Sequence, residues 1–359
     1  MYRPSSKLSS SVTIFKRFNT TTTPPPPPPP PPPLRKPIDE YFTYFNTKAT
    51  LRPLIYRPKN ANTLLTMDLK DPMTKEPIKP RSPIKPIQKT VLTEYIKTIP
   101  YGSNEFYDWF KKWTSVTPRK REIWHFFNSA HFQTMIFQSF FKIGDFSRLT
   151  GYLYSKRAKF MKSKHYKLYD MEHFFNSIIA CNLHRSKFFE FDNPKTSLKK
   201  LKNVWANVTF RNNTNGLSNL LVECLGRRLG FDPSGQLKGF ENVKVKLPTI
   251  SELSEQNDES IKKFHEDNEN TYIITRTIAQ FSDASDINPE VQKFNEEYQT
   301  LNKKFLKQDI YDEYMHTMED TWSKKLKLNS VLNEQEEDEI KENSSELKED
   351  GSEEQQKSN

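Results

Sequence analysis

Glycine is scarce in this 359-residue chain: there are 9, against 25 prolines. Folds that cradle a cofactor phosphate need glycine where backbone approaches the anion, so such folds are disfavoured. There are two cysteines, Cys181 and Cys224, too few for a disulfide framework or a zinc site, and both read as small buried side chains. No run approaches the roughly 18 consecutive apolar residues that membrane spanning requires. Phosphate-loop, HExxH, GxSxG and CxxC patterns are all missing. His125, His131, His165, His173 and His184 read as packing or surface histidines, and carboxylates near them are scattered, so no acid/base pair is indicated. The expectation is a non-enzyme with no catalytic residues, metal or cofactor.

Apolar residues make up only 34% of the chain, yet aromatics reach 13%. Core material is therefore concentrated, and much of the chain lies outside it. Residues 1–23 carry Arg3, Lys7, Lys16 and Arg17 but no Asp or Glu, and are rich in Ser and Thr. That is the composition of a mitochondrial import presequence. An inside-negative potential favours entry of positive charge by about 2.3 kcal/mol per charge per 100 mV. Processing is expected after Phe18 and a matrix location follows; the alternative is a basic cytosolic tail. Pro24–Pro33 is an unbroken run of ten prolines, expected as a polyproline II spacer about 31 Å long. Residues 19–90 as a whole read as a proline-rich basic extended arm. In it, Arg52-Pro53, Arg57-Pro58, Lys79-Pro80, Arg81-Ser82-Pro83 and Lys85-Pro86 alternate cation and proline, with Ile78, Ile84 and Ile87 interspersed. Such an arm serves either to thread into a ribonucleoprotein or as a solvated linker.

Charge is unevenly spread. Residues 1–100 carry net +11, 101–245 net +13, 246–330 net −6 and 331–359 net −8. A compact region of +13 points to a polyanion, most often nucleic acid. The densest stretch is 142–211. There Lys156, Arg157, Lys159, Lys162, Lys164 and Lys167 stand beside Tyr152, Tyr154 and Tyr166, and Arg185, Lys187, Lys195, Lys199, Lys200, Lys202 and Arg211 follow. Cations neutralise phosphates and release counterions, while tyrosine and arginine stack on unpaired bases. Lysine outnumbers arginine, which favours backbone contact over base reading. The candidate RNA-binding residues are Lys156, Arg157, Lys159, Lys162, Lys164, Lys167, Arg185, Lys187, Lys199, Lys200, Lys202 and Arg211. The bland alternative is a solvated face.

From residue 91 the pattern becomes helical. Val91–Ile99 reads as a short helix. Ser103 or Asn104 caps a helix presenting Phe106, Trp109, Phe110 and Trp113. Pro118 follows the potential cap Thr117, and Ile123 to Phe140 form a run broken by Gly144. Asp145 and Asp170 read as further caps, with more helices at 196–210 and 215–229. Thr271–Ile278 fits either a strand or a helix, and Asn288-Pro289 opens a helical stretch to about Lys327 that is acidic enough to pack on the basic region. The organisation expected is a presequence (1–18), the arm (19–90), a basic aromatic-rich helical domain (91–240), a polar linker (241–270), an acidic helical segment (271–330) and a disordered acidic tail (331–359). The fold class is all-α, an array of short amphipathic helical hairpins.

His125-Phe126-Phe127-Asn128-Ser129 recurs as His173-Phe174-Phe175-Asn176-Ser177, 48 residues later, as two copies of a helical repeat would. The order of presequence, basic proline arm, aromatic basic helices and acidic tail resembles a fungal-specific mitochondrial small-subunit ribosomal protein. The helix pairs over Phe140–Phe160 and Asp170–Cys181 are weakly similar to pentatricopeptide-type hairpins, but the spacing of 48 departs from that family's period, so no base-reading code carries over. The resemblance implies a structural subunit whose partners are mitochondrial rRNA and neighbouring ribosomal proteins, supporting mitochondrial translation. Two alternatives remain: a helical factor for maturation or translation of one mitochondrial mRNA, and a matrix assembly factor or enzyme without RNA.

Overall fold

The computed structural model describes residues 34–71, 75–99, 104–117, 120–144, 146–161, 171–188, 215–237, 243–253, 255, 257–283, 285–306 and 308–324. The presequence, the ten prolines, Pro118, the caps proposed at Asp145 and Asp170, the helix proposed at 196–210 and the acidic tail lie outside them. Among the described residues the fold is all-α, as composition and periodicity predict, and its only strand-like feature is an isolated bridge between Lys70 and Pro77.

The helices are α1 (Arg35–Asn46), α2 (Arg52–Tyr56), α3 (Ala61–Thr66), α4 (Lys89–Lys97), α5 (Glu105–Ser115), α6 (Arg121–Phe126), α7 (Ser129–Gln138), α8 (Phe146–Met161), α9 (Met171–Phe188), α10 (Leu217–Leu229), α11 (Asp258–Asp267), α12 (Glu269–Phe281), α13 (Pro289–Phe305) and α14 over 310–324. α5 is the clearest product of pattern. Phe106, Trp109, Phe110 and Trp113 recur every three or four residues and are all buried, with Glu105 and Asp108 in the first turn and Lys112 in the last, as the helix dipole favours. Asn104 stands at its N-terminus without capping it, because its Oδ1 accepts from Arg148 Nη1 at 2.7 Å instead. α7 is capped by Asn128, runs into a wide π-turn over Ser139–Ile143 and stops at Gly144, whose φ is +75°.

The centre is a stack in which α7 packs on both α4 and α9, α9 on α10, and α12 on α9 and α10, with α13 on the far side of α12. α12 carries Ile273, Ile274, Thr275, Thr277 and Ile278, a composition that fits a strand as well as a helix. Burial on several faces decides for helix. Its buried threonine hydroxyls find acceptors: Thr277 Oγ1 donates to Ile273 O at 2.7 Å, and Thr275 Oγ1 lies 2.7 Å from Asn295 Oδ1 of α13 and 3.0 Å from Tyr272 O.

Four features depart from the sequence reading. Residues 35–66 are not an extended arm but hold α1, α2 and α3. Ile38 and Phe42 of α1 enter the main core, while Ile55, Tyr56 and Leu64 form a small second core. The polar stretch 241–270 contains α11, capped by Asn257 and burying Phe264 and His265. The helix from Asn288-Pro289 ends at Phe305, and a new one starts after Asp309. That carboxylate accepts from Tyr311 N at 2.9 Å, Tyr272 OH at 2.6 Å and Asn302 Nδ2 at 3.0 Å, so it caps one helix while tying down two others. Finally, the two pentapeptides are not equivalent. The first straddles the α6–α7 break with Asn128 as cap; the second lies inside α9, where Asn176 Oδ1 accepts from Ser218 Oγ at 2.8 Å.

The acidic C-terminal helices do pack on the basic region. Glu269 of α12 pairs with Lys97 of α4, and Glu313 lies 3.8 Å from Lys142. Tyr314 donates to Glu269 Oε1 at 3.3 Å and itself accepts from Gln138. Cys181 and Cys224 are free and buried.

Two local consequences are measurable. Gly216 enters α10 with φ +71°, and a Cβ there would stand 3.0 Å from Val245 Cα and 3.1 Å from Lys244 O. Gly216→Ala therefore combines left-handed strain with a backbone clash, and is expected to cost about 1–3 kcal/mol, read as a lowered thermal midpoint. An unchanged midpoint would mean that the 244–246 segment does not sit on this turn.

His131 is the second. Its Nδ1 accepts from Asn128 N at 3.1 Å and its Nε2 faces Lys89 O at 3.0 Å, an arrangement that suits the neutral ring with the proton on Nε2. Burial pushes its pKa down from 6.5 to about 4, against the opposing pull of the Lys89 carbonyl. The unfolded chain then binds the proton first, so folding stability falls as pH drops from about 6.5 to about 4, by about 3 kcal/mol in all, and is flat below. Urea unfolding across that range should show this slope in the native chain and lose it in His131→Gln; equal slopes would disprove it.

Candidate nucleic-acid interface

The described residues of the basic–aromatic region lie mainly on α8 and α9, and α8 forms a seam with α5. α8 buries Leu149 and Leu153 and leaves Arg148, Gly151 and Ser155 exposed. Tyr152 is half-buried, its hydroxyl 2.5 Å from Thr114 Oγ1 and its ring edge-on to Tyr107 at 5.2 Å. The Arg148 guanidinium lies 3.8 Å over the Tyr107 ring, and the Lys156 ammonium lies 5.1 Å from the centre of Tyr152. Rings thus hold cations at the surface, each pairing contributing about 0.5–1 kcal/mol at an exposed site. The arrangement presents positive charge beside flat aromatic faces, which suits phosphate with an adjacent unpaired base.

Of the twelve residues singled out from sequence, Lys156 stands in this seam. Arg157 and Lys159 lie on the same helix, and Arg185 and Lys187 lie on α9, with Arg185 half-buried. Lys162, Lys164, Lys167, Lys199, Lys200, Lys202 and Arg211 fall outside the described residues. Arg148 was not among the twelve. Its signal was present in the sequence, since it lies on the same apolar-periodic helix as Tyr152 and Lys156.

Other cations of the basic region are engaged internally. Arg227 lies 3.2 and 3.3 Å from Asp283 and Asp286. Arg228 bonds the end of α9 through Ser186 O at 2.9 Å and Ser186 Oγ at 3.1 Å. A shallow cleft of about 530 Å³ opens beside them, lined by Leu220, Glu223, Phe231, Ile278 and Asp286. Burial raises the Glu223 pKa. With Arg227 neutralised by two carboxylates, this cleft has no net attraction for a polyanion.

Histidines behave as packing groups where they are buried: His184 Nε2 lies 3.0 Å from Thr277 Oγ1, and His265 Nε2 lies 2.8 Å from Asn302 Oδ1. Among the described residues there is no group of three metal-ligating side chains, and no helix long and apolar enough to cross a membrane.

Residues 15–98 match the family model of an MRP13-like N-terminal domain, and residues 103–331 match that of an MRP13-like C-terminal domain. The two matched stretches share one core: Tyr95 packs edge-on to Trp109 at 5.4 Å, and Phe42 lies 5.2 Å from Trp113.

Proposed function

The chain belongs to the MRP13-like family of mitochondrial ribosomal proteins, and from that premise we propose that it is a structural component of the small ribosomal subunit in the mitochondrial matrix, binding rRNA through its basic helices. The observation that carries the reading is the α5–α8 seam, where Arg148 and Lys156 are held on tyrosine rings at the head of the basic run 156–211. Phosphate contacts would position the chain on rRNA, and the half-buried tyrosine rings would offer their open parts to unpaired bases. Its role is scaffolding rather than catalysis. The N-terminal 18 residues serve import, and the proline-rich segment after them reaches neighbouring proteins.

Sedimentation of mitochondrial lysate tests this. Stoichiometric co-migration with the small subunit at moderate salt, lost after ribonuclease, is the expected result. Migration with a single transcript away from the subunit would favour an mRNA factor. A low-mass position unmoved by ribonuclease and salt would remove both RNA readings.

A further inference from the structure

The segment between the second core and α4 has a period that cation–proline pairing alone conceals. Pro77, Pro80, Pro83 and Pro86 recur every third residue, giving the tripeptides Pro77-Ile78-Lys79, Pro80-Arg81-Ser82, Pro83-Ile84-Lys85 and Pro86-Ile87-Gln88. Three residues per turn is the repeat of polyproline II, so positions i, i+3 and i+6 share a face. Exposure follows that period. Ile78, Ile84 and Ile87 are half-buried, whereas the four prolines and Lys79, Ser82 and Lys85 are exposed.

The inward face is fastened at both ends. Ile78 packs on the second core and its N–H donates to Leu69 O at 2.7 Å; Ile87 packs on the main core. In the middle, Arg81 takes the inward register. Its N–H donates to Ile55 O at 2.7 Å, while its side chain remains exposed. The rod is therefore tied along the protein surface, and its outward faces carry proline rings and cations. Lys75, Lys79, Arg81, Lys85 and Lys89 are all exposed, as is Arg57, two residues from the anchoring Ile55. Glu76 is the one carboxylate between Lys75 and Lys89.

We infer that residues 77–88 are a phosphate-binding strap, a pre-extended rod that lays Lys79, Arg81 and Lys85, with Lys89 at the start of α4, along the sugar–phosphate backbone of RNA. At about 3.1 Å per residue, Lys79 and Lys85 stand on one face about 19 Å apart. Proline and the isoleucine anchors have already fixed the backbone, so little conformational entropy is lost on binding. Outward cations favour a polyanion over the other reader of such rods, an aromatic-lined protein groove, which would take the proline face. The inference rests on the ribosomal reading for its setting but concerns a surface separate from α8.

The test uses the full chain and a labelled oligouridylate, with affinity followed from about 50 to 200 mM salt. Lys79→Gln, Arg81→Gln and Lys85→Gln together are expected to lower the slope of log affinity against log salt by about 2, at about 0.7 per single-strand phosphate neutralised, with helicity and thermal midpoint unchanged. Lys79→Arg with Lys85→Arg should restore the native slope. A native slope in the triple Gln variant overturns the strap. Particle association lost in Pro80→Ala with Pro83→Ala but kept in the triple Gln variant overturns it too, in favour of a protein groove. Charge reversal in α8 provides the separation: if that variant binds normally while the strap variant does not, the α8 reading fails and the strap stands.

Discussion

Replacing Lys156, Arg157, Lys159, Lys162 and Lys164 with Glu is expected to abolish association with the ribosomal particle while leaving the helices folded. The change places ten units of negative charge, relative to the native chain, on one short stretch. Each phosphate left without its cation lowers the salt slope by about 0.7–0.9, and the introduced carboxylates add repulsion to that deficit. Lys156 already lies over Tyr152, so its reversal also removes a cation from an aromatic face that a base would share. Glutamates near the C-terminus of α8 oppose its dipole at about 0.3–1 kcal/mol each, so the corresponding Gln variant is the control for folding. Gradient sedimentation with circular dichroism reads both effects. Unaltered association in a folded Glu variant would show that the cluster is only a solvated face.

The largest expected loss of stability comes from Trp109→Ala. Trp109 is among the largest fully buried side chains and packs 5.4 Å from Tyr95, 5.0 Å from Trp113 and 6.0 Å from Phe127. Removing an indole from such a site costs about 3–5 kcal/mol, because the rings around it are held from several helices and cannot collapse into the space. Tyr95 lies in the stretch that matches the N-terminal family domain and Trp109 in the C-terminal one. The variant should thus lower the urea midpoint of the whole folded part in one transition. If part of the chain unfolded at the native midpoint, the shared core would not be a cooperative unit.

Glu269 illustrates why the acidic helices cannot be read as a separate appendage. It is buried at the start of α12 and is met by Lys97 from α4 and Tyr314 from α14. One carboxylate therefore ties together elements that sequence places 172 residues apart. The net charges of +11 and +13 before residue 246 and −6 after it made such packing legible in outline. Which carboxylate meets which cation was not, since that depends on helix faces brought together over long separations.

Much of the local structure was written in short-range chemistry. The aromatic spacing of α5, the Asn288-Pro289 start of α13 and the stop at Gly144 all involve hydrogen bonds or side-chain contacts within a few residues, so sequence alone determined them. The three-residue proline period of the strap is equally local, since Pro77, Pro80, Pro83 and Pro86 are fixed by sequence alone. Tertiary structure decided the rest. A β-branched stretch became α12 because it is buried on several sides, and α1 left the arm because Ile38 and Phe42 found a core built from distant helices. Two copies of one pentapeptide took different conformations because Asn128 had a free helix N-terminus to cap and Asn176 had Ser218 to bond. Local terms of a few tenths to one kcal/mol set where helices begin and end; burial, at about 1.5–3 kcal/mol per large side chain, set which of them meet.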